Sequence, residues 1–270
     1  MSDFAEFHNE LLFLGTGTSH GVPVIGCNCP TCRSSDPHDD RTRCSVLVGM
    51  PEGHLLIDTP PELRIQLLRE KIARIDAVAF THEHADLLFG LDDLRMFPKY
   101  LGHDLPVYCD GPTERRIRQT IDYAFDPVTR QWPAGGVPRL DLRRIDTAPL
   151  PILGATVQPI PLRHGRFNVL GFRIGGVAYC TDTNGIPPAS RELLNDLDVL
   201  ILDCLRYASH PTHFSLDEAI AAAHEMGARR TLFTHIAHDL KHAEVNERLP
   251  AGMELAYDGL RISLEHTLQP

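Results

Sequence analysis

Residues 77–86 read Ala77-Val78-Ala79-Phe80-Thr81-His82-Glu83-His84-Ala85-Asp86, an apolar strand that runs straight into His-x-His-x-Asp. Imidazole and carboxylate groups are ligands for divalent transition metals, and alternation in so tight a loop directs several of them toward one point. Histidines on a surface loop are often merely solvated, so the reading leans on further candidates downstream. His164 follows a strand predicted over Thr156–Pro161, Asp182 one over Val177–Cys180, and His235 one over Thr231–Phe233. Sheet proteins gather remote residues into one site by placing them where strands give out. The pattern predicts a metal centre.

Upstream, Leu11–Leu14 reads as a strand, followed by Gly15-Thr16-Gly17-Thr18-Ser19. That turn lacks the Gly-Lys-Ser/Thr of a phosphate loop and the further glycine of a dinucleotide fingerprint, so a tight turn packed beneath the site is the better reading. Cys27-Asn28-Cys29-Pro30-Thr31-Cys32 offers three soft ligands within six residues, and a structural zinc needs one more from elsewhere. Strands are predicted at Cys44–Val48 and His54–Asp58, then a helix from about Pro61 to Arg69. Asp58 ends its strand and has two readings, a carboxylate that orients a ligand histidine or a cap for that helix.

Beyond the histidine loop, Leu88–Phe97 and Thr113–Tyr123 read as helices and Pro106–Cys109 as a strand. Asp126–Pro138 breaks the pattern with Pro127, Pro133, Gly135, Gly136 and Pro138. It also holds Trp132, the only tryptophan, and reads as a rim loop or lid in which Trp132 plugs the local core or meets substrate. The second half alternates again, with strands at Leu140–Arg144, Leu170–Ile174 and Val199–Asp203 beside those named above, and helices at Pro187–Asn195 and Leu216–Met226. Two halves with one rhythm predict a single α/β domain over residues 1–270, an αββα sandwich of two mixed sheets face to face with helices outside.

The 43% apolar content of 270 residues supports a sizeable core. No apolar run approaches a membrane span, and Met1–Glu10 is acidic and polar where a signal peptide is basic and then apolar, so a cytoplasmic protein is expected. Seven cysteines, three of them crowded together, favour metal thiolates or reduced thiols over a disulfide framework. A formal charge of −10 argues against non-specific nucleic-acid binding but not against a small anion, because bound cations reverse the local field.

The order His82-x-His84-x-Asp86, then His164, Asp182 and His235, resembles the metallo-β-lactamase superfamily of hydrolases. Residues 15–23 (Gly-Thr-Gly-Thr-Ser-His-Gly-Val-Pro), the cysteine cluster and His235-Ile-Ala-His238 narrow the resemblance to the PhnP-type phosphodiesterases that open cyclic phosphates on ribose. It spans about Leu11 to Arg261. The resemblance implies one metal, zinc or manganese, on His82, His84 and His164, a second on Asp86 and His235, and Asp182 bridging them. It also implies a structural zinc on Cys27, Cys29, Cys32 and His238, with Cys44 as the alternative fourth ligand. Asp86, Asp182 and His213 are then the expected catalytic residues, His213 standing over the phosphoryl group to donate a hydrogen bond or protonate the leaving oxygen.

One position departs from the family motif His-x-His-x-Asp-His, whose last histidine is here Leu87. The second metal thereby loses a nitrogen ligand and keeps Asp86, Asp182 and His235. The expected activity is a phosphodiesterase acting through a metal-activated water on a small cyclic phosphodiester such as a phosphoribosyl cyclic phosphate. Hydrolysis of a thioester, lactone or RNA end, and a non-catalytic metal protein, are the competing readings. The expected partner is a small phosphodiester, with no membrane, no nucleic acid, and a homodimer as the one self-association kept open. Arg95, Lys99, Arg163 and Arg166 flank the expected mouth without being assigned a role.

Overall fold

The computed structural model describes residues 7–131 and 136–264. Fourteen strands form two seven-stranded sheets. The first is built from β1 (Glu10–Gly15), β2 (Ser45–Met50), β3 (Gly53–Ile57), β4 (Ala77–Ala79), β5 (Leu105–Cys109), β6 (Leu140–Arg144) and β14 (Arg261–Ser263), in the order β14-β1-β2-β3-β4-β5-β6. The second contains β7 (Leu150–Ile152), β8 (Ala155–His164), β9 (Phe167–Ile174), β10 (Val177–Cys180), β11 (Val199–Asp203), β12 (Arg230–Thr234) and β13 (Met253–Leu255), in the order β13-β12-β11-β10-β9-β8-β7. Each sheet is antiparallel at one end and parallel at the other, β3 through β6 and β10 through β13 running parallel.

The two-residue period of a strand sorts the apolar side chains into layers. Leu11 and Phe13, Val46 and Val48, Leu55 and Ile57, and Val199 and Ile201 face the core between the sheets. Leu12, Leu14, Leu47 and Leu56 alternate with them to face an outer layer that includes α1 (Leu63–Arg69) and α4 (Gly111–Thr120). Leu200 and Leu202 face the opposite outer layer, with α6 (Leu216–Met226) and α7 (His242–Asn246). The layers are the predicted αββα sandwich. Sheets covered on both faces read as nearly continuous apolar strands, which is why the second half gave such clear strand signals.

Several elements differ from expectation. The helix predicted over Leu88–Phe97 is three pieces, α2 (Ala85–Leu88), a 3-10 turn at Leu91–Met96 and α3 (Phe97–Leu101). At the break the Gly90 N–H donates to the Thr59 carbonyl at 2.9 Å, and only glycine fits there, because a Cβ would lie 2.0 Å from the Pro60 carbonyl oxygen. Strand β8 runs through Pro159 and Pro161 to end on His164, longer than predicted. β7 pairs only with Ala155–Val157 and the next bridge on that side is Arg163 to Gly185, so at Pro159 and Pro161 β8 is a sheet edge where a missing N–H costs no ladder bond. The helix predicted over Pro187–Asn195 shortens to α5 (Pro188–Glu192). Trp132 lies outside the described residues.

Candidate metal centres

Parallel strands end at one edge of each sheet, and open α/β sheets place ligands outside those carboxyl ends. His82 follows β4, His164 closes β8, Asp182 follows β10, Asp203 closes β11 and His235 follows β12. The two sheets meet there through the Leu170 N–H donating to the Thr81 carbonyl at 3.0 Å. Asp58, Asp182 and His235 adopt left-handed backbone, with φ of 65°, 51° and 60°. Strain of that kind in non-glycine residues collects at functional sites, where the surroundings over-determine the conformation.

His82, His84 and His164 form a first group, with ring centroids 4.4 to 5.4 Å apart and one ligand atom from each within 4.8 Å of the others. Their orientation is set from behind. Thr81 Oγ1 lies 3.1 Å from His82 Nδ1, and the His164 Nδ1 proton is taken by the Thr212 carbonyl at 2.8 Å. Asp58 accepts from both the N–H and the hydroxyl of Thr81, so it acts on His82 through Thr81. Of its two readings, the structure favours orientation, since α1 has Glu62 before it and no side-chain cap. Burial, reinforced by neighbouring histidines, pushes the His82 pKa well below the ordinary value and that of His164 to about 4. Both rings are therefore neutral, the form that binds metal.

Asp182, Asp203, His213 and His235 form a second group within the same 4.8 Å span. His235 Nε2 lies 3.0 Å from Asp182 Oδ1 without the alignment of a hydrogen bond, and both nitrogens of this buried ring, like His82 Nε2, have no hydrogen-bond partner. Burial raises the Asp182 pKa well above the ordinary carboxylate value, and the charges of Asp86, Asp203 and Asp58 add to the effect. Neutral imidazoles with unpartnered nitrogens beside carboxylates that repel one another fit a divalent cation, which supplies the charge they lack.

Sequence reasoning missed Asp203, although it closes a predicted strand in the way that singled out Asp182. Its Oδ2 lies 2.7 Å from His213 Nδ1, and it also accepts the Thr183 and Phe214 N–H groups. His213 is buried, its ring stacked on His235 at 4.5 Å with 11° between the planes. Asp86 stands outside both groups, though near enough to act on Asp182 and Asp58. It sits in the first turn of α2, whereas the second group is gathered from β10, β11, β12 and the loop carrying His213. Of the second set that the resemblance implies, Asp182 and His235 thus lie together in this group and Asp86 stands close by. Leu87 is buried yet belongs to none of the three apolar clusters.

A third group is separate. His238 Nδ1 lies 3.3, 3.5 and 3.4 Å from the sulfurs of Cys27, Cys29 and Cys32. Edges of about 3.5 Å follow from a tetrahedron with metal–sulfur and metal–nitrogen bonds near 2.3 and 2.0 Å, so these four residues fit zinc. Cys44 is instead buried against Thr234. The Cys32 N–H, followed by the other cysteines, draws the Cys29 pKa down to about 7, while burial pushes that of Cys32 up to about 11. The glycine turn beside this group is a packing device, since a Cβ on Gly15 would meet the Arg43 carbonyl oxygen at 2.0 Å. Arg95 is paired with Asp92, while Arg163 and Arg166 are exposed, Arg166 over the Phe167 ring beside His84.

Residues 54–236 match the beta-lactamase superfamily domain. The chain belongs to the beta-lactamase superfamily. Within it, a crystal structure described as a new diphosphatase from the PhnP family is 43% identical, with a TM-score of 0.89 over 96% of this chain and 99% of that one. An octanoyltransferase of Porphyromonas gingivalis is 37% identical over 258 residues, 94% of this chain. The chain spans about half of that relative, 51% of its length. Zinc-bound PqqB from Methylobacterium extorquens shares the superfamily fold at 19% identity, with a TM-score of 0.74 over 94% of this chain and 100% of that one. Among the described residues no helix is long and apolar enough to cross a membrane.

Proposed function

We propose that this protein is a metal-dependent phosphodiesterase that opens a small cyclic phosphodiester such as a phosphoribosyl cyclic phosphate. The observation that carries the reading is that the group of His82, His84 and His164 meets that of Asp182, Asp203, His213 and His235 through the His164 and His213 rings, 4.7 Å apart, in a chain 43% identical to a PhnP-family diphosphatase. His82, His84 and His164 would hold one metal, and Asp182 and His235, with Asp86 near Asp182, would hold a second. Bound there, zinc or manganese supplies Lewis-acid chemistry and lowers the pKa of water to about 7.

The chain's own contribution is orientation and proton handling. Asp203 engages His213 Nδ1, which leaves Nε2 as the nitrogen that can carry a proton to the leaving oxygen, the tautomer control that a carboxylate exerts in a catalytic triad. Burial of His82, Asp182, Asp203 and His235 keeps the groups in a low-dielectric setting where charge stabilisation is strongest. The octanoyl transfer named for the Porphyromonas relative is not carried over, because about half of that protein lies beyond the matched length.

The test is hydrolysis of bis-para-nitrophenyl phosphate by chelator-treated protein with manganese or zinc added back. Turnover should depend on metal and fall by at least about 100-fold in His213→Asn, the loss expected of an acid or base. Turnover of thioesters or lactones without turnover of this phosphodiester would assign a different ester chemistry to the same centre.

A further inference from the structure

Residues 204–215, between β11 and α6, bring His213 to the second metal group without a helix or strand of their own. An irregular loop holds a side chain only as well as the scaffold that anchors it. On one side the anchor is Asp203, which engages His213 Nδ1 at 2.7 Å and accepts the Phe214 N–H at 3.2 Å. On the other it is Asn184, whose Nδ2 donates to the Pro211 carbonyl at 2.9 Å while its Oδ1 accepts the Gly165 N–H at 2.8 Å. We infer that Asn184 is a positioning residue, a clamp that holds the loop of His213 against the hairpin of His164 so that His213 meets the leaving oxygen. The inference rests on the phosphodiesterase reading and adds to it what keeps the proton donor in register with the first metal group.

The side chain suits the task because it faces one donor and one acceptor. A carboxamide answers both at once, whereas a carboxylate has no proton for the Pro211 carbonyl. Half-buried Asn184 is itself fixed, its N–H donating to the Arg163 carbonyl at 2.9 Å while the Arg163 N–H donates to the Gly185 carbonyl at 3.0 Å. Those bonds pair the turn after β10 with the end of β8. Gly165, in the turn between β8 and β9, has φ of 61°, and a Cβ on it would lie 2.7 Å from Thr212 Cγ2, so hairpin and loop are in direct contact.

The residue after Pro211 completes the join, since the Thr212 carbonyl accepts from His164 Nδ1 at 2.8 Å. One loop thus orients a ligand of the first metal group and carries the acid of the second, with the His164 and His213 rings 4.7 Å apart. Without Asn184 the Pro211 carbonyl turns to water, and the His164–Thr212 bond is left to tie loop to hairpin. Misplacing a reacting group by about 1 Å costs up to about 100-fold in rate. An acid that misses its oxygen is felt most where the leaving group is poor.

Bis-para-nitrophenyl phosphate and diphenyl phosphate differ in how far the departing oxygen needs a proton, the second needing it more. Asn184→Ala should lower kcat about tenfold on the first and by a further factor of about five on the second, with KM changed less than about twofold on either. In a His213→Asn background the same substitution should cost less than about twofold, because residues that act as one unit are not additive. Asn184→Asp, which keeps the acceptor for Gly165 and loses the donor to Pro211, should match Asn184→Ala. Equal losses on both esters, full additivity with His213→Asn, or no loss at all would overturn the inference while leaving the phosphodiesterase reading standing. If the parent turns over neither ester with manganese or zinc present, that reading fails, and amide hydrogen exchange decides the clamp alone. Exchange in residues 209–214 faster by about fivefold in Asn184→Ala, the worth of a hydrogen bond, supports the clamp, and unchanged exchange overturns it.

Discussion

Leu87 and Asp203 show how a single residue carries more or less information than its type implies. Leucine cannot coordinate, so a chain with Leu87 in the place of the motif's last histidine reads as one short of a ligand. The structure brings Asp182 and His235 together without position 87 and turns Asp203 onto His213 Nδ1 beside them. Leu87 is nonetheless buried outside the apolar clusters, on the helix that begins at the His-x-His-x-Asp loop. A histidine there would add a nitrogen donor next to Asp86, and changes even one shell away from a metal alter affinity 10- to 100-fold or so. Leu87→His is therefore expected to lower the manganese or zinc concentration giving half-maximal phosphodiesterase activity by about tenfold, read by titrating metal against parent and variant. Superimposable curves would place Leu87 outside the metal's reach. Most of the site was legible because His82, His84, His164, Asp182 and His235 all stand where strands end. Asp203 was not, because a carboxylate closing an apolar strand looks like an ordinary boundary until His213, ten positions on, is seen folded back onto it.

At the scale of elements, the chain was readable wherever a strand exceeded four residues of apolar pattern or a helix carried its own cap. The helix Leu216–Met226 was read to the residue because Ser215 and Glu218 form a capping box and Gly227 closes it in left-handed backbone. The three-residue strands β7, β13 and β14 have too few positions for a period to show, and they form because longer neighbours offer them a ladder. A tether between remote segments is equally silent in the sequence. Arg41 is fully buried, with Nη2 on Asp39 at 3.0 Å and its other donors on the carbonyls of His38, Ala237 and Leu240. Asp39 also accepts the His242 N–H at 2.8 Å. This pair ties the segment after the cysteines to the segment that carries His235 and His238, so it fixes the distance between two metal groups. Removing one partner of a buried ion pair strands the other charge, at a cost of about 3–5 kcal/mol. Asp39→Ala should lower thermal stability by that order in a denaturant melt, whereas a change below about 1 kcal/mol, the scale of exposed pairs, would show that Arg41 finds water or another acceptor.

For the molecule as a whole, the packing of histidines into the fold sets how it responds to acid. His164 and His242 are both held at about 4, by burial first and by positive neighbours second. His242 belongs to none of the three metal groups, although it stands four positions beyond His238; it is stacked on His38 at 4.6 Å, with Tyr257 edge-on and Asn246 on its Nε2. Its Nδ1 is buried without a partner, Arg41 and His38 disfavour its charge, and Asp36 and Asp39 only partly offset them. An imidazole in the unfolded chain takes up its proton near pH 6.5. Between about 6.5 and 4 the unfolded state binds more protons than the folded one, so stability falls as the pH falls, and the loss is complete once both states are protonated below about 4. Chelator-treated protein should therefore show a denaturant midpoint that drops between pH 7 and pH 4.5 or so. His242→Gln, which cannot take a proton, should flatten part of that drop while leaving the part due to the metal-ligand histidines. Zinc added at pH 7 should raise the midpoint by mass action and lose its effect on acidification, as protons compete for the same imidazole nitrogens. An unchanged slope in His242→Gln would mean that the His38–His242 stack opens to water before the fold does, and that the acid response belongs to the metal centres alone.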